Sequence, residues 1–142
     1  MPLVLAVDFD NTIVKDAFPK IGEPVPLALE WLRVFQGLEA KIILWTVRCN
    51  CLAIRSTDVL QPAVQYLTDN GIQLFGVNRR PGQYNWSRSH KVHADIFIDD
   101  KNICTPLIVE DSGLCYVDWS VVGPAVLERL EKAQKAKKAK KP

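Results

Sequence analysis

Apolar and polar positions along the chain sort into short, wholly apolar runs separated by stretches with helical periodicity. Val4-Leu5-Ala6-Val7 is apolar throughout and gives way to Asp8-Phe9-Asp10-Asn11-Thr12. Such a run predicts a strand buried on both faces, as in a parallel sheet. Pro19 and Gly22 interrupt any regular element in residues 13–22. From Pro24 onward, Leu27, Trp31, Leu32, Val34, Phe35 and Leu38 recur at helical spacing, and a proline suits a first helical turn. Ala40 to Thr46 predicts a second buried strand. Leu52 to Asp69 predicts a second helix, in which Pro62 is either a kink or the true start, and Asn70-Gly71 is a stop. Ile72 to Val77 predicts a third strand, Asn78 to Ser89 a loop, and Asp95 to Ile98 a fourth strand running into Asp99-Asp100. Two short apolar pieces follow, Leu107-Ile108-Val109 and Leu114-Cys115-Tyr116-Val117. A closing helix is expected from about Pro124 into a lysine-rich tail.

Strands alternating with helices imply parallel pairing through right-handed crossovers. The expected fold is α/β: a three-layer, Rossmann-like, doubly wound and mainly parallel sheet with helices on both faces. With 142 residues the chain fits one domain, placed at 1–131, followed by a basic, frayed or disordered tail at 132–142. Its 48% apolar and 24% charged residues are ordinary for a globular protein. No apolar run approaches the roughly 20 residues of a membrane span. No basic-then-apolar leader precedes the first strand, so a cytoplasmic location is expected. Cys49, Cys51, Cys104 and Cys115 lack the paired spacing of a zinc site and read as reduced thiols. The net charge of +2 conceals an asymmetry: six lysines lie in residues 132–142, leaving twelve basic against sixteen acidic residues, or −4, in the body. That tail reads as a solvated helix end, with contact to a polyanion as the sharper alternative.

Side chains alternate along a strand, so Asp8 and Asp10 project to one side at the carboxyl end of the first strand, where open parallel sheets bind ligands. Thr46 and Arg48 close the second strand, Asp99 and Asp100 the fourth, and Lys91 lies just ahead of the fourth. Parallel strands bring these ends to one rim. Clustered carboxylates suit a hard cation such as Mg²⁺, which keeps waters and a substrate phosphate in its shell. A lysine can neutralise a phosphoryl oxygen and a threonine hydroxyl can hydrogen-bond another. Arg48 reads equally as a second phosphate clamp or an exposed loop charge. Asp8 is a candidate nucleophile, and Asp10 a candidate acid and base.

Asp8-Phe9-Asp10-Asn11-Thr12, Thr46 after an apolar strand, Lys91, and Ile98-Asp99-Asp100 together resemble the four ordered motifs of the haloacid-dehalogenase-like hydrolases, over roughly residues 4–103. The resemblance implies Asp8 as nucleophile, Asp10 as general acid/base, Thr46 on phosphate, and Lys91 on the nucleophile and phosphoryl group. It also implies that Asp99 and Asp100 complete a Mg²⁺ site with Asp8 and the Asp10 backbone carbonyl. An Asp at the second acidic position leans the reaction to phosphomonoester hydrolysis. Asn11 stands where glycine is commoner, and asparagine tolerates unusual backbone angles better than most residues. Residues 13–23 and 78–89 are too short for the family's cap domain, so a capless, open site is expected. Its substrate is expected to be a phosphorylated small molecule, with a nucleotide or a phosphorylated nucleic-acid end among the options, and a homo-oligomer could complete the site.

Arg79, Arg80 and Arg88 make the long loop basic, with Tyr84 and Trp86 interleaved. Nucleotides and single strands stack on such sets, although a solvated loop with one anchoring aromatic is the plainer reading. His90 and His93 read as structural or surface residues, and Trp31, Trp45 and Trp119 as packing residues. A phosphorelay receiver would also carry an acidic pocket with Thr and Lys, but would place its accepting Asp after the third strand, where Asn78 stands. A non-catalytic module using the basic loop and tail on nucleic acid is a third reading.

Overall fold

A computed structural model of the protein describes residues 1–50 and 57–141. In chain order the elements are β1 (Val4–Val7), α1 (Ala28–Gly37), β2 (Lys41–Leu44), α2 (Gln61–Asp69), β3 (Leu74–Val77), β4 (Ile96–Ile98), β5 (Leu107–Val109), β6 (Cys115–Val117) and α3 (Trp119–Ala139). The first four strands form one parallel sheet in the order β3-β2-β1-β4, and β5 and β6 form a separate antiparallel hairpin. The sheet is Rossmann-like in its parallel pairing and crossovers. Strand order runs one way from β1 to β3 and then reverses, so β4 lies on the other side of β1. The crevice outside the carboxyl end of β1 is therefore the topological switch point.

Alternation along β1 divides the core in two. Leu5, Val7 and Phe9 pack with Ile42, Leu44, Ile96 and Ile98 and with buried residues from all three helices, among them Leu32, Phe35, Leu67, Trp119 and Val126. Val4 and Ala6 face the other way, into a small cluster with Ile43 and Val92, bordered by Trp45, Phe75 and Ala94. Helices were expected on both faces. Among the described residues they cover one, because the β3-to-β4 connection is residues 78–95, with a single 3₁₀ turn at Gln83–Asn85. Here we call this connection the strap. Gln83 pins it: its amide nitrogen donates to the carbonyls of Ser89 (3.4 Å) and Lys91 (2.9 Å), and its side-chain oxygen accepts from the His93 N–H at 2.9 Å.

Element boundaries differ from the sequence reading where prolines lie. Pro24 forms an isolated antiparallel bridge with Val14, and α1 starts only after Leu27, whose φ is 69°. Pro62 marks the start of α2. The expected earlier start near Leu52 falls partly on residues 51–56, outside the described residues. α3 begins at Trp119, five residues before Pro124, because Asp118 caps it by accepting from the Ser120 N–H at 3.0 Å. It continues to Ala139, so the lysine-rich segment is the exposed end of this helix. Trp31 stacks on Phe35 and Trp119 is fully buried, as packing residues should be. Gly123 lets α3 approach α1 closely, since a Cβ there would lie 2.2 Å from the Trp31 ring. No helix among the described residues is long and apolar enough to cross a membrane. Cys104 and Cys115 carry free thiols, and Cys51 lies outside the described residues.

Candidate functional site

Register brings the strand ends level: Val7 pairs with Leu44 on one side and with Ile98 on the other. The Asp8 N–H donates to the Ile98 carbonyl at 2.9 Å and the Trp45 N–H to the Val7 carbonyl at 2.8 Å. After β1 the chain turns sharply, with the N–H groups of Thr12, Ile13 and Val14 all directed at the Phe9 carbonyl. Asn11 holds a left-handed φ of 58°, a conformation that asparagine adopts more readily than most residues. The turn puts the fully buried Thr12 beneath the acids. Its hydroxyl donates to Asp8 Oδ2 at 2.9 Å and accepts from the Asp100 N–H at 3.2 Å. The indole N–H of Trp119 donates to the Thr12 carbonyl at 2.7 Å, so α3 fixes this residue from behind.

Asp8, Asp99 and Asp100 each offer a carboxylate oxygen, and these atoms lie within 4.8 Å of one another. Three half-buried acids this close interact strongly. Burial, then the neighbouring Asp99 charge and the hydrogen bond to Asp100, push Asp8 up to about 8, opposed by the Thr12 hydroxyl and the Phe9 N–H. Burial also raises Asp100, with Asp99 adding to the effect, opposed first by the hydrogen bond with Asp8 and then by Lys101. That lysine is exposed, and its ammonium stands 3.8 Å from Asp100. A set of oxygen donors with so little positive charge near it matches the needs of a hard divalent cation. Asp8, Asp99 and Asp100 could therefore hold such an ion.

Asp10 is committed differently. Arg48 Nε donates to Asp10 Oδ2 at 2.8 Å and Nη2 to Oδ1 at 2.7 Å, a two-point pairing. The remaining N–H groups of Arg48 reach the carbonyls of Pro19, Lys20 and Val59 at 3.1, 2.8 and 3.1 Å. The guanidinium also lies over the rings of Phe9 and Phe18. With all five donors engaged and only 1% of the residue exposed, Arg48 has nothing to offer a phosphate. The phosphate-clamp reading of Arg48 is thus corrected: it ties Asp10 to the segment after β1 and to the residue two before α2.

Thr46 sits at the rim, half-buried, with its hydroxyl accepting from the Arg48 N–H at 3.1 Å. Its own N–H donates to Asn78 Oδ1 at 2.8 Å, and Asn78, in a left-handed conformation, also donates from its backbone to Leu44. Lys91 is exposed on the strap and lines a hollow with Trp86, His93 and Phe97. Its ammonium forms no ion pair among the described residues, so it is not brought onto Asp8. Thr12 and Asn78 were given no role from sequence. The signal for Thr12 was its place four residues after Asp8, and for Asn78 its place where the third strand meets the rim.

No family model and no curated protein matches the chain. A solved structure does: that of a conserved protein from Bacteroides thetaiotaomicron, at 30% sequence identity and a TM-score of 0.70, over 91% of this chain and 93% of that one. Fold and site define an α/β, Rossmann-like protein with an acidic cluster at the switch point. At that identity over nearly the whole of both chains, this chain belongs to the same family as the Bacteroides protein.

Proposed function

We propose that the chain is a Mg²⁺-dependent phosphohydrolase of the haloacid-dehalogenase-like type, cleaving phosphomonoesters through an aspartyl-phosphate on Asp8. The observation that carries this reading is the meeting of Asp8, Asp99 and Asp100 within 4.8 Å, at residues 8 and 99–100 of the chain, on the carboxyl rim of a parallel sheet. Bound Mg²⁺, held by these three carboxylates, would supply positive charge for the phosphoryl oxygens. Thr12 orients Asp8 by donating to Oδ2, and the other carboxylate oxygen would attack phosphorus.

As the Asp8–phosphorus bond forms, the bond from phosphorus to the ester oxygen breaks, and the departing oxygen takes a proton from Asp10. Water then attacks phosphorus, gives its proton back to Asp10, and releases inorganic phosphate with free Asp8. Arg48 uses one lone pair on each Asp10 oxygen, which leaves acceptor capacity on both for that proton. The Thr46 hydroxyl accepts from the Arg48 N–H and would donate its own hydrogen to the phosphate.

Phosphate release from p-nitrophenyl phosphate, with Mg²⁺ and with chelator, tests the reading. Mg²⁺-dependent release that Asp8→Asn abolishes is expected. Absence of turnover on a broad phosphoester panel, or full activity in Asp8→Asn, overturns it.

A further inference from the structure

The strap carries Arg79, Arg80, Arg88, Lys91 and two histidines against one acid, Asp95 at its end, a formal charge of +3 in a chain whose body is acidic. None of those four cations forms an ion pair among the described residues. Two large aromatics stand out in the same segment, Tyr84 at 65% and Trp86 at 64% exposure. The segment that carries them is held in place by hydrogen bonds of its own. Gln83 is buried and holds the C-terminal part of the segment at Lys91 and His93, while Arg80 joins its two ends by donating to the His93 ring nitrogen at 2.8 Å and to its carbonyl at 3.1 Å.

Two hollows lie along the strap. The smaller, about 70 Å³, is lined by Asn78, Arg79, Arg80, Tyr84 and His90. The larger, about 300 Å³, is lined by Trp86, Lys91, His93 and Phe97. Ser87 and Ser89 border both. Each hollow thus combines an aromatic ring, a cation and hydroxyl groups. The first begins at Asn78, the residue hydrogen-bonded to Thr46 on the rim. The alternation that sends Val4 and Ala6 towards the strap, continued one step past β1, sends Asp8 to the same side of the sheet.

We infer that the strap is a binding surface for single-stranded nucleic acid, with successive bases stacking on Tyr84 and Trp86 and the backbone phosphates meeting the arginines and Lys91. Resting on the phosphohydrolase reading, this makes the substrate a phosphorylated oligonucleotide end delivered to Asp8 along the strap. Base–aromatic contacts of this kind tolerate any sequence, so affinity depends on length and salt rather than on base identity.

The test is fluorescence anisotropy of a labelled oligothymidylate with the full chain, without Mg²⁺ so that no turnover intervenes. Tyr84→Ala and Trp86→Ala should each weaken binding between about five- and a hundredfold. Four phosphate contacts should give a slope of about −3 in log affinity against log salt. Both aromatics are exposed, and circular dichroism checks that the variants fold. Changing Lys138, Lys140 and Lys141 together to Gln should leave affinity within about twofold. Absence of binding at about 50 mM salt, or binding that survives the aromatic changes but not the lysine changes, overturns the inference. A 5′- and a 3′-phosphorylated oligonucleotide are then assayed beside p-nitrophenyl phosphate. Cleavage of the aryl ester but neither oligonucleotide overturns the assignment of substrate. Strap-dependent binding with neither class cleaved supports the surface, and it is the phosphohydrolase reading that falls.

Discussion

Arg48 grips both carboxylate oxygens of Asp10, at 2.7 and 2.8 Å, across 38 residues of sequence. The same guanidinium spends its other hydrogens on three backbone carbonyls, so one buried side chain joins the first strand's end, the segment bearing Pro19 and Lys20, and the approach to α2.

Removing that guanidinium should therefore be severe. Arg48→Ala leaves a part-buried carboxylate and three carbonyls without partners, and breaking one side of a buried pair typically costs about 3–5 kcal/mol. Arg48→Lys should recover little, because an ammonium cannot reproduce the two-point geometry. Chemical denaturation of both variants checks this. A loss below about 1 kcal/mol in Arg48→Ala would show that the network contributes little.

The acidic cluster predicts how stability follows pH. Asp8 is raised to about 8 in the folded chain from an unfolded value of 3.8, so between these values the folded state binds more protons than the unfolded one. Stability of the metal-free protein should accordingly fall as pH rises from about 4 towards 8. Asp8→Asn should flatten that decline. Mg²⁺ binds the deprotonated set, so it should raise the melting temperature at pH 8 by several degrees and do much less at pH 5. Melting curves of wild type and variant across this range, with and without Mg²⁺, decide it. A wild-type melting temperature that climbs over the same interval without metal would contradict the burial of Asp8.

Thr12 is the second positioning residue. In Thr12→Val the shape is kept, but the hydrogen bond to Asp8 and the acceptor for the Asp100 N–H are both lost. A stability loss of about 1–3 kcal/mol is expected from the unpaired groups. If Asp8 is the nucleophile, kcat should drop by one to two orders of magnitude with little change in KM. Thr12→Ser, which keeps the hydroxyl, should recover most of kcat. Failure of serine to rescue would mean that the methyl group's packing, not the hydroxyl, is what matters.

Much of this architecture was legible in one dimension. Four apolar runs became the four parallel strands, although only β1 and most of β2 are buried on both faces, and strand register brings Asp8, Asp99 and Asp100 together. Helix starts were less legible. A proline at a helical position reads as a first turn, yet Pro24 serves a bridge to Val14 while Asp118 captures the start of α3. The roles of Arg48 and Lys91 were hidden for a different reason. A long charged side chain near a rim can turn inwards or outwards, and only the carbonyls waiting around Asp10 decide that Arg48 turns inwards.

The sheet face on which the described residues lay no helix has a consequence for how such a chain can diversify. A helix laid across a sheet must match it in length, tilt and ridge spacing, so changes there reach the strands. The strap's apolar contact with its sheet face is made by Val92 and Ala94, packed among Val4, Ala6, Ile43, Trp45 and Phe75. Insertions and deletions between Asn78 and Lys91 can therefore alter what docks beside the acids while the carboxylates keep their places. On the phosphohydrolase reading proposed above, the groups that react and the groups that hold the substrate would lie on separate stretches of the chain.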